Sequence, residues 1–402
     1  MISASTLKID ITPTNLTKIY VAGFSHNKPA SGIHKPIYAR ILCLEDESGP
    51  LVMIALDLIG LPRSDLERIR LLCGDVPSDR IFAASTHTHA GPDTIGLWGK
   101  HLFGLPVING RDEEYISWMI NRIADGVRNA AANVEPVQFG FAEDKSDKIN
   151  WIVNIQVEGP AYYDNTVSVM KVVRPDGTPV ACLSNFACHP ESLSDSNTEI
   201  SPDFVGYMHD LIERETGAVS IFFNGALGAM VTANTNLESG DVPAQRAFAE
   251  ALGNHMGGIV STCWESSVAQ EIDSFSTRSV EIRVPVTNRR FRLFFRLGLL
   301  PGEMKRGRLL TSLFWLAIGE AQMASLPGEA APGTGFAAKE LMPARYKFLV
   351  GLGNDELGYL LNEVQYNDRE NYAYERTVSI GSRGLEVIMQ RFAELVRSRP
   401  LS

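Results

Sequence analysis

Two histidines two residues apart, His87 and His89, stand in the run Ser85-Thr86-His87-Thr88-His89-Ala90-Gly91-Pro92. It follows the apolar stretch Ile81-Phe82-Ala83-Ala84 and ends in a glycine-proline turn. In an extended chain successive side chains alternate, so both imidazoles face one side and both threonines the other. One imidazole can then bind a divalent cation while its neighbour addresses that cation's ligand. His189 has a similar setting, in Asn185-Phe186-Ala187-Cys188-His189-Pro190 directly after an apolar run. Zinc in a hydrolytic site takes three or four nitrogen or oxygen ligands and keeps one position for water, so two histidines are too few. Glu329, in Ser325-Leu326-Pro327-Gly328-Glu329, is the expected third donor, because proline and glycine stop regular pairing there and expose the carboxylate. Neutral imidazoles and one carboxylate leave the cation net positive, which favours ionisation of a bound water and attack on an acyl carbonyl. His89 is expected to hydrogen-bond charge that develops on a group at the cation or to relay a proton there.

These residues need elements that bring them together. Leu51 to Leu58 is apolar on both faces except for Asp57, as in a strand covered on both sides. Ser64 and Glu67 form a capping-box signature, and Leu66, Ile69 and Leu72 keep helical spacing up to Gly74. With Ile81 to Ala84 as the next parallel strand, this β-α-β unit places His87 and His89 just beyond a strand's carboxyl end, where open α/β sheets form their ligand crevices. Asp57 either orients a metal-binding histidine or accepts backbone hydrogen bonds. The spacing predicts a helix through Ile116 to Val127, a hairpin of Val167–Val173 and Val180–Leu183, and a helix starting at Ser201-Pro202-Asp203 and stopping at Gly217. Val219–Phe223 returns to the sheet. A helix through Phe248 to Ile259, a strand over Val280–Val286, two strands within 311–326 and a closing helix over Leu385–Val396 complete the pattern. The expected fold class is α/β, with mixed sheets flanked by helices in one large domain over 1–402.

The chain has 402 residues, 45% apolar and 21% charged, with a net charge of −10. That charge argues against a nucleic-acid partner, which needs a clustered basic surface, and leaves a small-molecule substrate as the default. Cysteines 43, 73, 182, 188 and 263 include no Cys-x-x-Cys pair, so neither a disulfide framework nor a thiolate zinc site is indicated. With no secretory signal at the N-terminus and no apolar run long enough to span a bilayer, a cytoplasmic location is expected, and a homo-oligomer is the expected assembly. One stretch departs from the average. Arg289, Arg290, Arg292, Arg296, Lys305, Arg306 and Arg308 are interleaved with Phe291, Phe294, Phe295 and Leu297. This is either a solvated or subunit-contacting insertion with its aromatics packed inward, or a flap making peripheral membrane contact through 289–308.

Taken together, Thr86-His87-Thr88-His89-Ala90-Gly91-Pro92, Asn185-Phe186-Ala187-Cys188-His189-Pro190, Phe222-Phe223-Asn224-Gly225-Ala226 and Leu326-Pro327-Gly328-Glu329 resemble, in content and order, the neutral/alkaline non-lysosomal ceramidases. The likeness extends to Gly32-Ile33-His34-Lys35-Pro36-Ile37-Tyr38-Ala39-Arg40, Ala55-Leu56-Asp57-Leu58, Ile200-Ser201-Pro202-Asp203-Phe204 and Asn354-Asp355-Glu356-Leu357-Gly358-Tyr359. The resemblance implies the fold of that family's N-terminal catalytic domain, without the β-domain that follows it in the family. It implies a Zn2+ cofactor held by His87, His189, Glu329 and Tyr366, the last within Asn362-Glu363-Val364-Gln365-Tyr366, with Tyr359, Tyr372 and Tyr374 nearby. Tyr366 would coordinate or donate to the tetrahedral intermediate. Where the family carries an Ile-Asn-Arg motif this chain has Ile149-Asn150-Trp151, so an indole takes the place of a charged donor and suits a flat or apolar group. Trp151 and His34 are the expected substrate contacts. The aspartate usual after Gly225-Ala226-Leu227-Gly228 is absent, and Ser239 is kept out of the site as a loop residue. The implied activity is zinc-dependent cleavage of an amide C–N bond. Ester or lactone hydrolysis, or a silent zinc-containing lipid or metabolite binder, are the alternatives.

Overall fold

In the computed structural model, all residues are described except 103–104, 107, 147–150, 229, 236–239, 303 and 398–402, with the backbone alone at 105–106. The first sheet contains β1 (Ser3–Asp10), β2 (Tyr38–Asp46), β3 (Gly49–Leu56) and β4 (Ile81–Ser85), in the order β4-β3-β2-β1. Helix α1 (Arg63–Leu72) carries the chain from β3 to β4, which pair in parallel with Leu56 opposite Ser85. Helix α2 (Glu113–Ala132) covers the outer face of this sheet through Ile116, Met119, Ile120, Ile123 and Val127. The second sheet is built from β5 (Gln138–Lys145), β6 (Thr166–Val173), β7 (Pro179–Phe186) and β8 (Val219–Asn224). Helix α3 (Phe204–Thr216) links β7 to β8, again a parallel pair, and packs against α4 (Val242–Ser266). The third sheet holds β9 (Phe275–Pro285), β10 (Arg308–Ile318), β11 (Ala321–Ser325) and β12 (Tyr346–Val350). Here the helix Pro332–Leu341 bridges β11 to the parallel β12. The α/β class with mixed sheets is therefore as expected.

The three sheets share one apolar core. Phe82 of β4, Phe223 of β8, Phe314 of β10 and Phe348 of β12 belong to a single buried cluster, with Phe82 stacked on Phe314 at 4.3 Å between ring centroids. A fully buried phenylalanine contributes about 1.5–3 kcal/mol, so this cluster is a substantial part of what docks the sheets. The docking has a geometric result. Each sheet contributes one parallel β-α-β step, and the carboxyl ends of all three steps are stitched together. Asn354 N–H donates to Ala83 O (2.7 Å), tying the third sheet to the first, and Gly351 N–H to Asn224 O (2.9 Å), tying it to the second, while Leu326 N–H to Val350 O (2.8 Å) holds the third sheet's own two strand ends together.

One local expectation changes. The Ser64/Glu67 capping box does not form: α1 begins at Arg63 with Pro62 before it and no local side-chain cap. The Arg63 N–H instead donates to Asp355 Oδ1 at 3.0 Å. A carboxylate from a distant loop occupies the positive end of the helix dipole and does the work of a local cap. The basic-aromatic stretch folds as α5 (Arg289–Arg296) with Asn288 accepting from the N–H groups of Arg290 and Phe291. Its aromatics do pack inward, with Phe291 buried. Among the described residues no helix is long and apolar enough to cross a membrane.

Candidate metal centre

His87 lies two residues past β4, His189 three past β7 and Glu329 four past β11. The strand ends thus deliver all three to one point. The route at His87 differs from the extended geometry expected of Thr86-His87-Thr88-His89. After Thr86 N–H donates to Leu56 O (2.8 Å), His87 adopts φ 71°, the left-handed region that costs a non-glycine residue about 1–3 kcal/mol. The chain turns there, and His89 N–H donates to Pro190 O (3.0 Å), drawing His89 beside the His189 loop. The two rings still meet, with centroids 4.9 Å apart, but across a turn rather than along one face of a strand.

Backbone carbonyls orient two of the imidazoles. His87 Nδ1 donates to Ile59 O (2.5 Å) and His189 Nδ1 to Val231 O (3.0 Å). Such bonds fix the tautomer and turn each Nε2 toward the cation site, which is how protein metal centres usually hold histidine. His87 Nε2 lies 3.6 Å from Glu329 Oε1, and His189 Nε2 lies 3.0 Å from Glu329 Oε2. A ligand atom from each of His87, His89 and His189 lies within 4.8 Å of the others. His89 is buried, yet neither of its ring nitrogens has a hydrogen-bond partner; Glu191 Oε2, 3.3 Å from Nδ1, lacks the alignment of one. An orphaned imidazole in this position is costly unless something else binds it. Nitrogen and carboxylate oxygen donors, fixed from behind and converging on one point, are the set that zinc takes, so the residues fit the group.

Burial drives the His87 pKa down to about 4 and the His89 pKa well below the ordinary imidazole value, so both rings are neutral at physiological pH. Burial opposes ionisation of Glu329, but His87 and the bond to His189 outweigh it and hold the carboxyl below its usual range. For His189 burial again opposes charge, and Glu329 with Glu191 overcomes it and raises the pKa.

The tyrosine expectation changes. Tyr366 sits on the short helix Glu363–Asn367, whose Asn362/Gln365 capping box is formed, with the Arg376 guanidinium 5.2 Å from its ring. It does not line the cavity beside the imidazoles. Tyr359 instead pairs in parallel register with Glu329, lines the cavity together with Tyr374, and donates its OH to Met230 Sδ at 3.2 Å with the Glu329 carboxylate close by. The reason is local: Gly358, at φ 71°, folds the chain back against Glu329, whereas the helix after Leu360 leads Tyr366 away. The two substrate expectations also fall elsewhere. Trp151 packs on Phe248 and His255 of α4, at 5.7 and 5.4 Å between centroids, and His34 Nε2 bonds Tyr207 OH at 2.9 Å. Neither lines the cavity. Ile149, Asn150 and Ser239 lie outside the described residues. Asp57 Oδ2 accepts from Tyr38 N–H (2.9 Å), and the partner of His87 is the Ile59 carbonyl, so Asp57 serves the backbone.

The structure adds residues that no spacing argument singled out. Asn224, the last residue of β8, donates through Nδ2 to Thr86 O (3.0 Å) and Cys188 O (2.7 Å), while its Oδ1 accepts from Cys188 N–H (3.1 Å) and Gly225 N–H (3.0 Å). It clamps the two histidine-bearing strand ends to each other. Gly228 lies so close to Glu329 that a Cβ there would be 2.5 Å from the Glu329 carbonyl oxygen. Glu356 is half-buried near Glu329 with its Oε2 shielded from solvent, and the Glu329 charge adds to desolvation in pushing the Glu356 carboxyl far above its usual range. The quoted motifs Phe223-Asn224-Gly225 and Asn354-Asp355-Glu356 contain two of these residues, and their polar types inside apolar runs were the available signal.

His87, His89 and Glu329 open into a cavity of about 360 Å3 whose walls include Ile59, Ile95, Trp98, Phe295, Leu300 and Leu357. A mainly apolar chamber ending in neutral imidazoles and an ionised carboxylate suits an apolar chain attached to one hydrolysable polar group.

Residues 6–274 match the family profile described as neutral/alkaline non-lysosomal ceramidase, N-terminal. The neutral ceramidase of Pseudomonas aeruginosa is 26% identical over 262 residues, 60% of this chain and 38% of that protein. The neutral ceramidase of Drosophila melanogaster is 23% identical over 284 residues, 65% of this chain and 39% of that protein. The chain therefore matches about two-fifths of the length of these relatives. The crystal structure of the Pseudomonas aeruginosa neutral ceramidase superposes with a TM-score of 0.78 at 18% identity, covering 98% of this chain and 74% of that one. A ceramidase complexed with C2 gives the same TM-score at 19% identity.

Proposed function

Because the chain belongs to the neutral/alkaline non-lysosomal ceramidase family, we propose that it is a zinc-dependent hydrolase that cleaves the amide C–N bond of a lipid-like acyl amide, ceramide being the model substrate. The observation that carries this reading is the convergence of His87, His189 and Glu329 from three parallel strand ends, with His87 and Glu329 facing one mainly apolar cavity and His189 buried behind them. A bound zinc ion supplies an acidified water and polarises the acyl carbonyl.

The chain's own residues do the rest. His87, His189 and Glu329 hold the cation, with the carbonyls of Ile59 and Val231 keeping both imidazoles turned inward. Tyr359, whose OH stands beside Glu329 and donates to Met230 Sδ (3.2 Å), can turn that one phenolic proton to the reacting carbonyl. His89 is neutral and unpartnered, so it can take a proton at one ring nitrogen and deliver it to the leaving amine. The walls formed by Ile95, Phe295 and Leu300 bind the acyl chain and keep bulk water from the site.

The test is metal content by mass spectrometry together with fatty-acid release from a short-chain ceramide and its matched ester. The parent chain should bind about one zinc and release acid faster from the amide. His87→Ala should lose both zinc and turnover, and His89→Ala should keep zinc while turnover falls about 100-fold. Full zinc occupancy in His87→Ala, or unchanged turnover in His89→Ala, would overturn these assignments.

A further inference from the structure

Helix α5 has two faces with opposite surroundings. Phe291 and Phe295 point inward and form part of the cavity wall, which continues along the chain through Leu300, Pro301 and Gly302. On the outward side Leu293 is 52% exposed and Leu297 62% exposed, one helical turn apart, with Arg289, Arg290 and Arg296 exposed around them. Residues 289–308 hold seven lysines and arginines and a single acid, Glu303, in a chain whose net charge is −10. Positive charge is thus concentrated where apolar side chains are left in water. With the phenylalanine face turned inward, the outer face sets two exposed leucines among arginines, a pattern that suits a lipid headgroup region, the leucines reaching the acyl boundary and the cations lying among anionic headgroups.

We propose that the outer face of α5 docks the protein on an anionic lipid surface and so brings the cavity it walls against the layer from which an apolar substrate would come. The last clause rests on the proposed hydrolase reading; the docking itself does not. A second copy of the chain is the poorer occupant, because a two-fold contact sets the same patch against itself and would oppose these cations to their own copies. An acidic protein partner would satisfy the arginines but gives no reason for the two leucines to stand exposed at the depth of the helix's outer edge.

The experiment is co-sedimentation of the full chain with vesicles of phosphatidylcholine alone and of an equimolar mixture with phosphatidylglycerol, at low and high salt. Since each basic side chain near an anionic surface contributes about fivefold to partitioning, binding to the mixed vesicles should exceed binding to phosphatidylcholine by at least about tenfold and weaken with salt. The triple variant Arg289→Glu, Arg290→Glu, Arg296→Glu should bind no better than background. The double variant Leu293→Ser, Leu297→Ser should lose most binding while its circular dichroism and its hydrolysis of a water-soluble short-chain amide stay unchanged. His87→Ala should bind vesicles like the parent, so loss of activity and loss of docking are read separately. Equal binding to both vesicle types, or undiminished binding by the folded double variant, overturns the proposal. So does a dimer that the leucine variant dissociates without any vesicle binding by the parent.

Discussion

Asn224 offers a sharp test of whether the strand ends, rather than the ligands alone, make the metal centre. Replacing it with alanine deletes four hydrogen bonds and leaves the carbonyls of Thr86 and Cys188 and the N–H of Cys188 buried without a partner, while Gly225 N–H keeps its bond to Phe186 O (2.9 Å). Each of these three groups costs about 1–3 kcal/mol, so even the lower bound is near 3 kcal/mol, a large share of the roughly 5–15 kcal/mol that keeps a domain folded. Asn224→Asp is the more informative change. It preserves the shape and both accepting bonds, but turns the two donations into contacts between a carboxylate and carbonyl oxygens, a penalty of about 2–5 kcal/mol. Because Thr86 adjoins His87 and Cys188 adjoins His189, that penalty is relieved only by moving the histidine-bearing ends apart. Changes in groups that orient ligands typically reduce metal affinity about 10–100-fold. Zinc affinity measured by competition with a chromophoric chelator, alongside denaturant unfolding, reads both effects. A folded Asn224→Asp protein that binds zinc within about twofold of the parent would refute the argument.

Three further outcomes follow from the geometry. Gly228→Ala puts a methyl 2.5 Å from the Glu329 carbonyl oxygen, so it should cost about 1–3 kcal/mol in denaturant unfolding and weaken zinc binding in the same titration. Tyr359→Phe should retain zinc and lose about 10–100-fold in kcat, while Tyr366→Phe should stay within about twofold; the reverse order would return the tyrosine role to Tyr366. Burial pushes the Asp57 carboxyl up to about 6, whereas in the unfolded chain it ionises near its ordinary 3.8. The folded state therefore binds more protons between those two values, and stability falls as pH rises through that window and stays lower above it. Asp57→Asn should flatten this slope and raise the unfolding free energy at neutral pH by up to about 3 kcal/mol, and an unchanged pH profile would contradict the assignment.

Much of the scaffold was legible in the sequence because the signals are local. The apolar run ending at Asp57, the helical spacing to Leu72 and the short run from Ile81 gave the β-α-β unit observed as β3, α1 and β4. The turn over Arg174–Thr178, the start at Asp203 and the stop at Gly217 were set by proline, aspartate and glycine acting over a few residues. What failed depended on contacts between distant segments. The cap of α1 came from Asp355 rather than Ser64, because a tertiary carboxylate reached the helix end. Trp151 and His34 were assigned from their place in motifs, but a large indole beside α4 gains more by packing on Phe248 than by facing a cavity on another side of the sheet.

The tyrosine shows where reading by position ends. Tyr359 and Tyr366 are separated by seven residues, and both follow motif-like runs. Their difference lies in one glycine at φ 71°, which returns the chain to Glu329, and one formed capping box, which starts a helix leading away. The Asn362/Gln365 spacing is itself a capping signature, but the return of the chain at Gly358 onto Glu329 is a tertiary result that leaves no trace at the scale on which motifs are matched. The strand-end donors are different. A residue a few positions past a buried parallel strand can project only into the crevice at that sheet's edge, so His87, His189 and Glu329 were readable once their strands were. Convergence of three such edges needs in addition the shared core of Phe82, Phe223, Phe314 and Phe348 and the clamp at Asn224. The donors are therefore specified by short-range pattern, and their distance from one another by packing.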